Sequence, residues 1–242
     1  MEWRISESKN EVAKQFARFF YELTKDKEVF HVALSGGSTP KVVFDLLAAD
    51  YAETINWSSI HFYWGDERCV APTDDQSNYK MTVTHLFSKI SIPETNINRI
   101  VGEDDPSDEA KRYSELLEDK LDDINGIPQF DLVILGMGDD GHTASIFPHE
   151  IDLWDADENC VVATHPASGQ KRVSLTGKVI NAAKQIAFLV TGANKAEKFG
   201  KIRASGENAR IFPAALVKPT AGELTWFLDE AAVGTSFGYG LC

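Results

Sequence analysis

"FDLVILGMG", residues 130–138, is the stretch on which the fold turns. Leu132, Val133, Ile134 and Leu135 are apolar without a break, so a strand made from them needs cover on both faces. That is the signature of a central strand in a parallel sheet, with helices above and below. The run is far shorter than the roughly 18 apolar residues of a membrane span, and the glycines that follow stop it.

Similar short runs recur on either side. "VFHVALS" (29–35), "SIHFYWG" (59–65), "INRIVG" (97–102), "CVVATH" (160–165) and "QIAFLVTG" (185–192) read as further strands. Helical patterns fill the intervals, at 9–27, 40–50, 77–88, 107–123, 174–184 and 194–204. In the clearest, "SDEAKRYSELLEDKLDDI" (107–124), acids occupy the first turn and Tyr113, Leu116, Leu117, Leu121 and Ile124 share one stripe. Strands separated by helix-length segments build βαβ units. The expected class is therefore α/β: a mostly parallel sheet with helices on both faces. No internal repeat or low-complexity linker divides the sequence, and a single domain over residues 1–242 is expected. The tail "VGTSFGYGLC" (233–242) has no periodicity and reads as lacking regular structure.

Charge narrows the partners. Lys and Arg number 24 against 37 Asp and Glu, a net −13. Such a chain repels a phosphate backbone, which disfavours nucleic acid. A small anion would need a local nest of donors and cations. Cys69, Cys160 and Cys242 are far apart, with neither metal spacing nor a disulfide framework. No basic-then-apolar leader opens the chain and no membrane span is evident, so a cytoplasmic protein is expected.

In open α/β sheets, ligands bind beyond the carboxyl ends of strands, so the motifs that matter should follow strands. "ALSGGSTPKVVFDLL" (33–47) does. Gly36 and Gly37 allow backbone angles closed to other residues. Ser38 or Thr39 suits an N-cap, with Pro40 at the first helical position. The free N–H groups at the positive end of the helix dipole make a phosphate cradle. The stretch is neither a Walker A sequence nor a GxGxxG dinucleotide pattern, which disfavours nucleotides. "FYWGDERCVAPTDDQSNYKM" (62–81) puts Asp66, Glu67 and Arg68 at a strand end, and an arginine fork there can meet a phosphate or carbonyl oxygen. "DLVILGMGDDGHTASIFP" (131–148) carries His142 on a glycine-rich turn, two residues after Asp140. A nearby carboxylate can fix the imidazole tautomer and raise its basicity. Of the other histidines only His165, before Pro166, invites attention. Arg172, placed just before an apolar helix, and Lys195, at a helix start, supply cations where the crevice should lie.

Taken in order, "LSGGSTP", "WGDER" with "SNYKM", "LGMGDDGHTASIFP", "RVSLTGKVIN" and "FLVTGANKAE" span residues 34–197 and resemble the 6-phosphogluconolactonase family. The resemblance implies a Rossmann-like α/β fold and hydrolysis of 6-phospho-D-glucono-1,5-lactone. An activated lactone opens comparatively easily under a general base and oxyanion donors, so no cofactor and no metal are expected. The resemblance also implies His142 as general base toward water; Asp140, two residues earlier, is the candidate for orienting the imidazole from its position, a role the resemblance leaves open. The carbonyl oxygen would be met by turn N–H groups after Gly136 or by Arg68, and Arg68 could instead serve the phosphate. Gly36, Gly37, Ser38 and Thr39, with Arg172 and Lys195, would hold the phosphate, and Asp66 would lie on the substrate side. The partner implied is a small sugar-phosphate lactone; monomer and small homo-oligomer both stay open. Two alternatives share the resemblance. Glucosamine-6-phosphate deaminase carries a glutamate five positions after the histidine, where this chain has Phe147. Related folds also serve as sugar-phosphate-sensing domains, which would not need His142.

Overall fold

The computed structural model describes residues 1–234; the tail expected to lack structure lies, from residue 235 on, outside them. The strands are β1 (Glu2–Ser6), β2 (Phe30–Leu34), β3 (Ile60–Trp64), β4 (Asp66–Arg68), β5 (Asp123–Ile124), β6 (Ile127–Pro128), β7 (Leu132–Leu135), β8 (Cys160–Thr164), β9 (Lys171–Leu175), β10 (Gln185–Val190) and β11 (Glu223–Asp229). The helices are α1 (Lys9–Thr24), α2 (Ser38–Asp50), α3 (Asn78–His85), α4 (Pro106–Lys120), α5 (Gly177–Ala182), α6 (Ala196–Arg203) and α7 (Glu230–Val233).

Six strands form one sheet in the order β1-β11-β10-β7-β2-β3, and every pairing in it is parallel. All four residues of β7 are buried, as an unbroken apolar run requires. Neighbouring residues on β11 show the cover on each face. Trp226 stacks on Phe188 at 3.8 Å and meets Phe199 of α6 at 5.6 Å. The next residue, Phe227, packs on Phe16 and Phe19 of α1 at 5.3 and 5.2 Å. Burying each such ring is worth about 1.5–3 kcal/mol. On the Trp226 side, Tyr113 of α4 is fully buried, and its hydroxyl bonds both N–H and C=O of Trp64. Helix α4 starts where its acids say, with the Asp105 carboxylate accepting from Ser107 and Asp108 amides.

Several expectations need correcting. Residues 97–102 form no strand; Ile97 makes one isolated bridge to Phe62. The 160–165 strand exists, but it lies in a separate antiparallel sheet, β4-β9-β8. Residues 174–184 are not one helix: β9 runs to Leu175 and α5 starts at Gly177, because an apolar strand and an apolar helix abut without punctuation. Arg172 therefore sits on a strand, not just before a helix. The helix after "SGG" begins at Ser38 with Gly37 as its N-cap, so neither hydroxyl residue caps it and Pro40 is third. The 77–88 pattern splits into α3 and a short 3-10 turn, Phe87–Lys89.

Strands β2 and β7 are neighbours at the centre, and the order runs outward from them in opposite directions. The turns after them, 35–37 and 136–141, therefore diverge and leave a crevice, the usual ligand position in open α/β sheets. Gly65 joins the two sheets: its amide donates to Leu34 O at 2.8 Å, and its carbonyl accepts from Leu175 N at 2.9 Å.

Candidate active site

An open crevice lies at this divergence, lined by Gly36, Gly37, Ser38, Thr39, Asp66, Arg68, His142, Arg172 and Lys195. Asp140 stands behind His142. The structure thus gathers the expected site residues from five separate segments, whereas His165 and Glu67, also singled out in the sequence, do not line the crevice.

One wall is the start of α2. Gly37 has φ 113°, a left-handed angle that a side chain would strain. It turns the chain into α2, whose first residues Ser38 and Thr39 line the crevice and whose first amides have no partner within the helix. Gly36 serves close approach: a Cβ there would lie 1.9 Å from Asn78 Oδ1. Asn78 was not expected as a site residue. Its Nδ2 donates to Asp66 O at 2.9 Å, tying the start of α3 to the crevice floor. Glu67 fixes that start, its carboxylate accepting from the amides of Arg68, Asn78 and Tyr79 and from Ser77 Oγ. Burial raises the Glu67 pKa in spite of these donors. Thr191, after β10, was also missed; its hydroxyl bonds Thr39 Oγ1 at 2.7 Å. Both residues matter through tertiary neighbours, which a single sequence does not display.

A second wall carries the cations. Arg68 of β4 and Arg172 of β9 are paired across the small sheet. Arg68 donates to Gln76 O, and Arg172 reaches Ser145 Oγ at 3.4 Å and lies over the Phe147 ring at 5.5 Å. Ser145 also donates to the buried Asp66 carboxylate at 2.6 Å. The Nε atoms of both arginines are buried with no hydrogen-bond partner among the described residues. A buried donor left unpaired costs about 1–3 kcal/mol. Both arginines line the crevice, so it carries two adjacent positive charges.

The third wall is the turn after β7. Gly138 N donates to His142 O and Gly141 N to Gly138 O, closing a tight loop in which Gly141 takes φ 87°. These two amides are therefore committed to the turn and are not free for a carbonyl oxygen, which narrows the expectation for N–H groups after Gly136. The His142 ring packs into space that a Gly138 side chain would occupy: a Cβ there would meet its Nδ1 at 2.1 Å. Nδ1 lies 2.7 Å from Asp140 Oδ1. Burial opposes the charge on Asp140, but the ring and backbone N–H of His142 prevail and hold its pKa down to about 2. An ionised carboxylate accepts, so Nδ1 carries the proton and Nε2 the free lone pair. Phe147 packs against His142 at 4.7 Å and supplies no proton-transfer group. Lys195 pairs with Asp139, which also accepts from Asn194 Nδ2 at 2.7 Å. Among the described residues, no cluster of three or more metal-ligating side chains occurs.

Fold and crevice define a Rossmann-like α/β protein with a cation-lined cleft and a histidine hydrogen-bonded to a carboxylate. A family model described as glucosamine-6-phosphate isomerases/6-phosphogluconolactonase matches residues 5–226, and the chain belongs to this family. It is 48% identical over 204 residues to a 6-phosphogluconolactonase from Haemophilus influenzae, covering 84% of this chain and 86% of the relative. The crystal structure of a devB protein superposes with TM-score 0.92 at 45% identity, covering 96% and 97% of the two chains. The 6-phosphogluconolactonase of Thermotoga maritima gives TM-score 0.82 at 28% identity, over 95% and 99%.

Proposed function

We propose that the chain hydrolyses 6-phospho-D-glucono-1,5-lactone to 6-phosphogluconate, as a single catalytic domain acting in the cytoplasm and without metal or cofactor. The observation that carries the mechanism is the His142–Asp140 pair, 2.7 Å apart, on a turn facing two arginines. His142 Nε2 takes a proton from water as the oxygen attacks the lactone carbonyl. The carbonyl π electrons move to oxygen, where Arg68 supplies positive charge. The ring C–O bond then breaks, and His142 returns its proton to the departing ring oxygen. The new carboxylic acid ionises in solution. The phosphate lies at the amide end of α2, with Ser38 and Thr39 toward it and Arg172 and Lys195 as counter-charges.

Phe147 supports the lactonase over the related deamination, because an apolar ring cannot move the protons that ring opening of an amino sugar needs. Fresh lactone supplied to the protein should disappear faster than its spontaneous decay, with no ammonia released from glucosamine 6-phosphate. His142→Asn should lower kcat by about 10²–10⁴-fold while product binding persists. A variant retaining the wild-type rate would sink the general-base assignment.

A further inference from the structure

Lys9 opens α1, and its ammonium reaches Ser38 Oγ at the start of α2 at 3.2 Å. Nothing in its own helix accounts for a cation there. It occupies the first turn of α1, directly after the Ser8 cap, where the helix dipole disfavours positive charge. Among the described residues, Ser38 is its hydrogen-bond partner and no carboxylate pairs with it. Lys195, by contrast, already has Asp139.

We infer that Lys9 is a further phosphate-end residue of this crevice, acting with Ser38; the inference rests on the proposed placement of the phosphate at the start of α2. The chemistry is directional. An ammonium has only donors, so Ser38 Oγ accepts from it and the single hydroxyl proton is left to donate elsewhere. The first amides of α2 already draw an anion to that end of the crevice, and the ammonium beside them adds a positive charge not offset by a carboxylate. In a chain of net charge −13, such a local cation counts for more than its long-range field. The ligand class is a phosphate monoester dianion, held by one charge-assisted contact and one oriented hydroxyl.

Lys9→Met should raise KM for the phosphorylated lactone about tenfold, the scale of one charge-assisted hydrogen bond, with kcat within about twofold. Lys9→Arg should recover most of the affinity. Hydrolysis of unphosphorylated glucono-1,5-lactone should be unaffected by either change. Lys27→Met serves as the control for net charge and should leave KM alone. Circular dichroism checks that α1 remains folded in each. A wild-type KM in Lys9→Met beside a raised KM in Ser38→Ala overturns the role of Lys9 alone. Wild-type KM in both variants overturns the phosphate placement on which it rests.

Discussion

Arg68 and Arg172 stand directly opposite each other on β4 and β9, two cations side by side with both Nε atoms buried and unpaired among the described residues. Cross-strand partners lie about 5 Å apart at Cβ, and like charges so placed destabilise the pair. Burial pushes the Arg172 guanidinium below its ordinary pKa; Asp66 opposes the shift and Arg68 adds to it. The fold bears this cost where an anion would offset it. Arg172→Met should therefore raise KM roughly tenfold or more while leaving the urea midpoint unchanged or higher. Arg68→Met should act chiefly on kcat, by about 10²-fold if it meets the carbonyl oxygen. A fall in stability matching the loss of affinity would show that the pair is structural.

The Asp140 carboxylate gives a pH signature. Its pKa is held below the ordinary 3.8, at about 2, so its contribution to stability is complete above that ordinary value. The contribution is lost as pH falls from there toward about 2, where the native carboxylate takes up its proton. The difference in urea midpoint between wild type and Asp140→Asn should thus shrink as pH falls across this window. At neutral pH the same variant should lose roughly 10–10²-fold in kcat, since its imidazole remains but its tautomer is no longer fixed. A midpoint difference unchanged across that window would remove the Asp140–His142 contact from the account.

Gly138 has no room for a side chain because the His142 ring fills it. Gly138→Ala would place a carbon 2.1 Å from Nδ1 and 2.7 Å from Asp140 Oδ1. The imidazole must turn away, and displacement of a catalytic group by about 1 Å costs on the order of 10²-fold in rate. Turnover should fall by that amount with phosphate affinity retained. An unchanged kcat would mean that the ring's position is not what sets the rate.

Glu67 acts at a distance from the chemistry. Its carboxylate accepts from three amides and one hydroxyl, so the NH₂ group of a glutamine would face a donor. Glu67→Gln should cost about 1–3 kcal/mol in chemical denaturation. Because Asn78 at the start of α3 abuts Gly36, KM should rise as well. Loss of stability without any rise in KM would separate α3 from the anion loop.

The parallel core and the three strand-end motifs were legible in the sequence because each depends on local pattern: unbroken apolar runs, glycine turns and a helical stripe. What escaped depended on pairing. The edge strand β1, "EWRIS", is short and half exposed, and only its register with β11 makes it a strand. With β1 unseen, Lys9 gave no sign of following a strand end, the one cue that would have brought it to notice. The strand β9 merges into α5 through "VSLTGKV" with no breaker but Gly177, so Arg172 read as a pre-helical residue. Asn78 and Thr191 join the site through contacts with Gly36 and Thr39, far away in sequence.

Gly65 links the strand end carrying the glycine loop to the sheet carrying the arginines through its own amide and carbonyl. On the proposed placement of the substrate, the span between its two ends is a main-chain dimension, fixed before any side chain is chosen. Divergence toward substrates of the same length can proceed by exchanging single lining residues. A longer or shorter substrate would demand an insertion or deletion at this seam, a far rarer event.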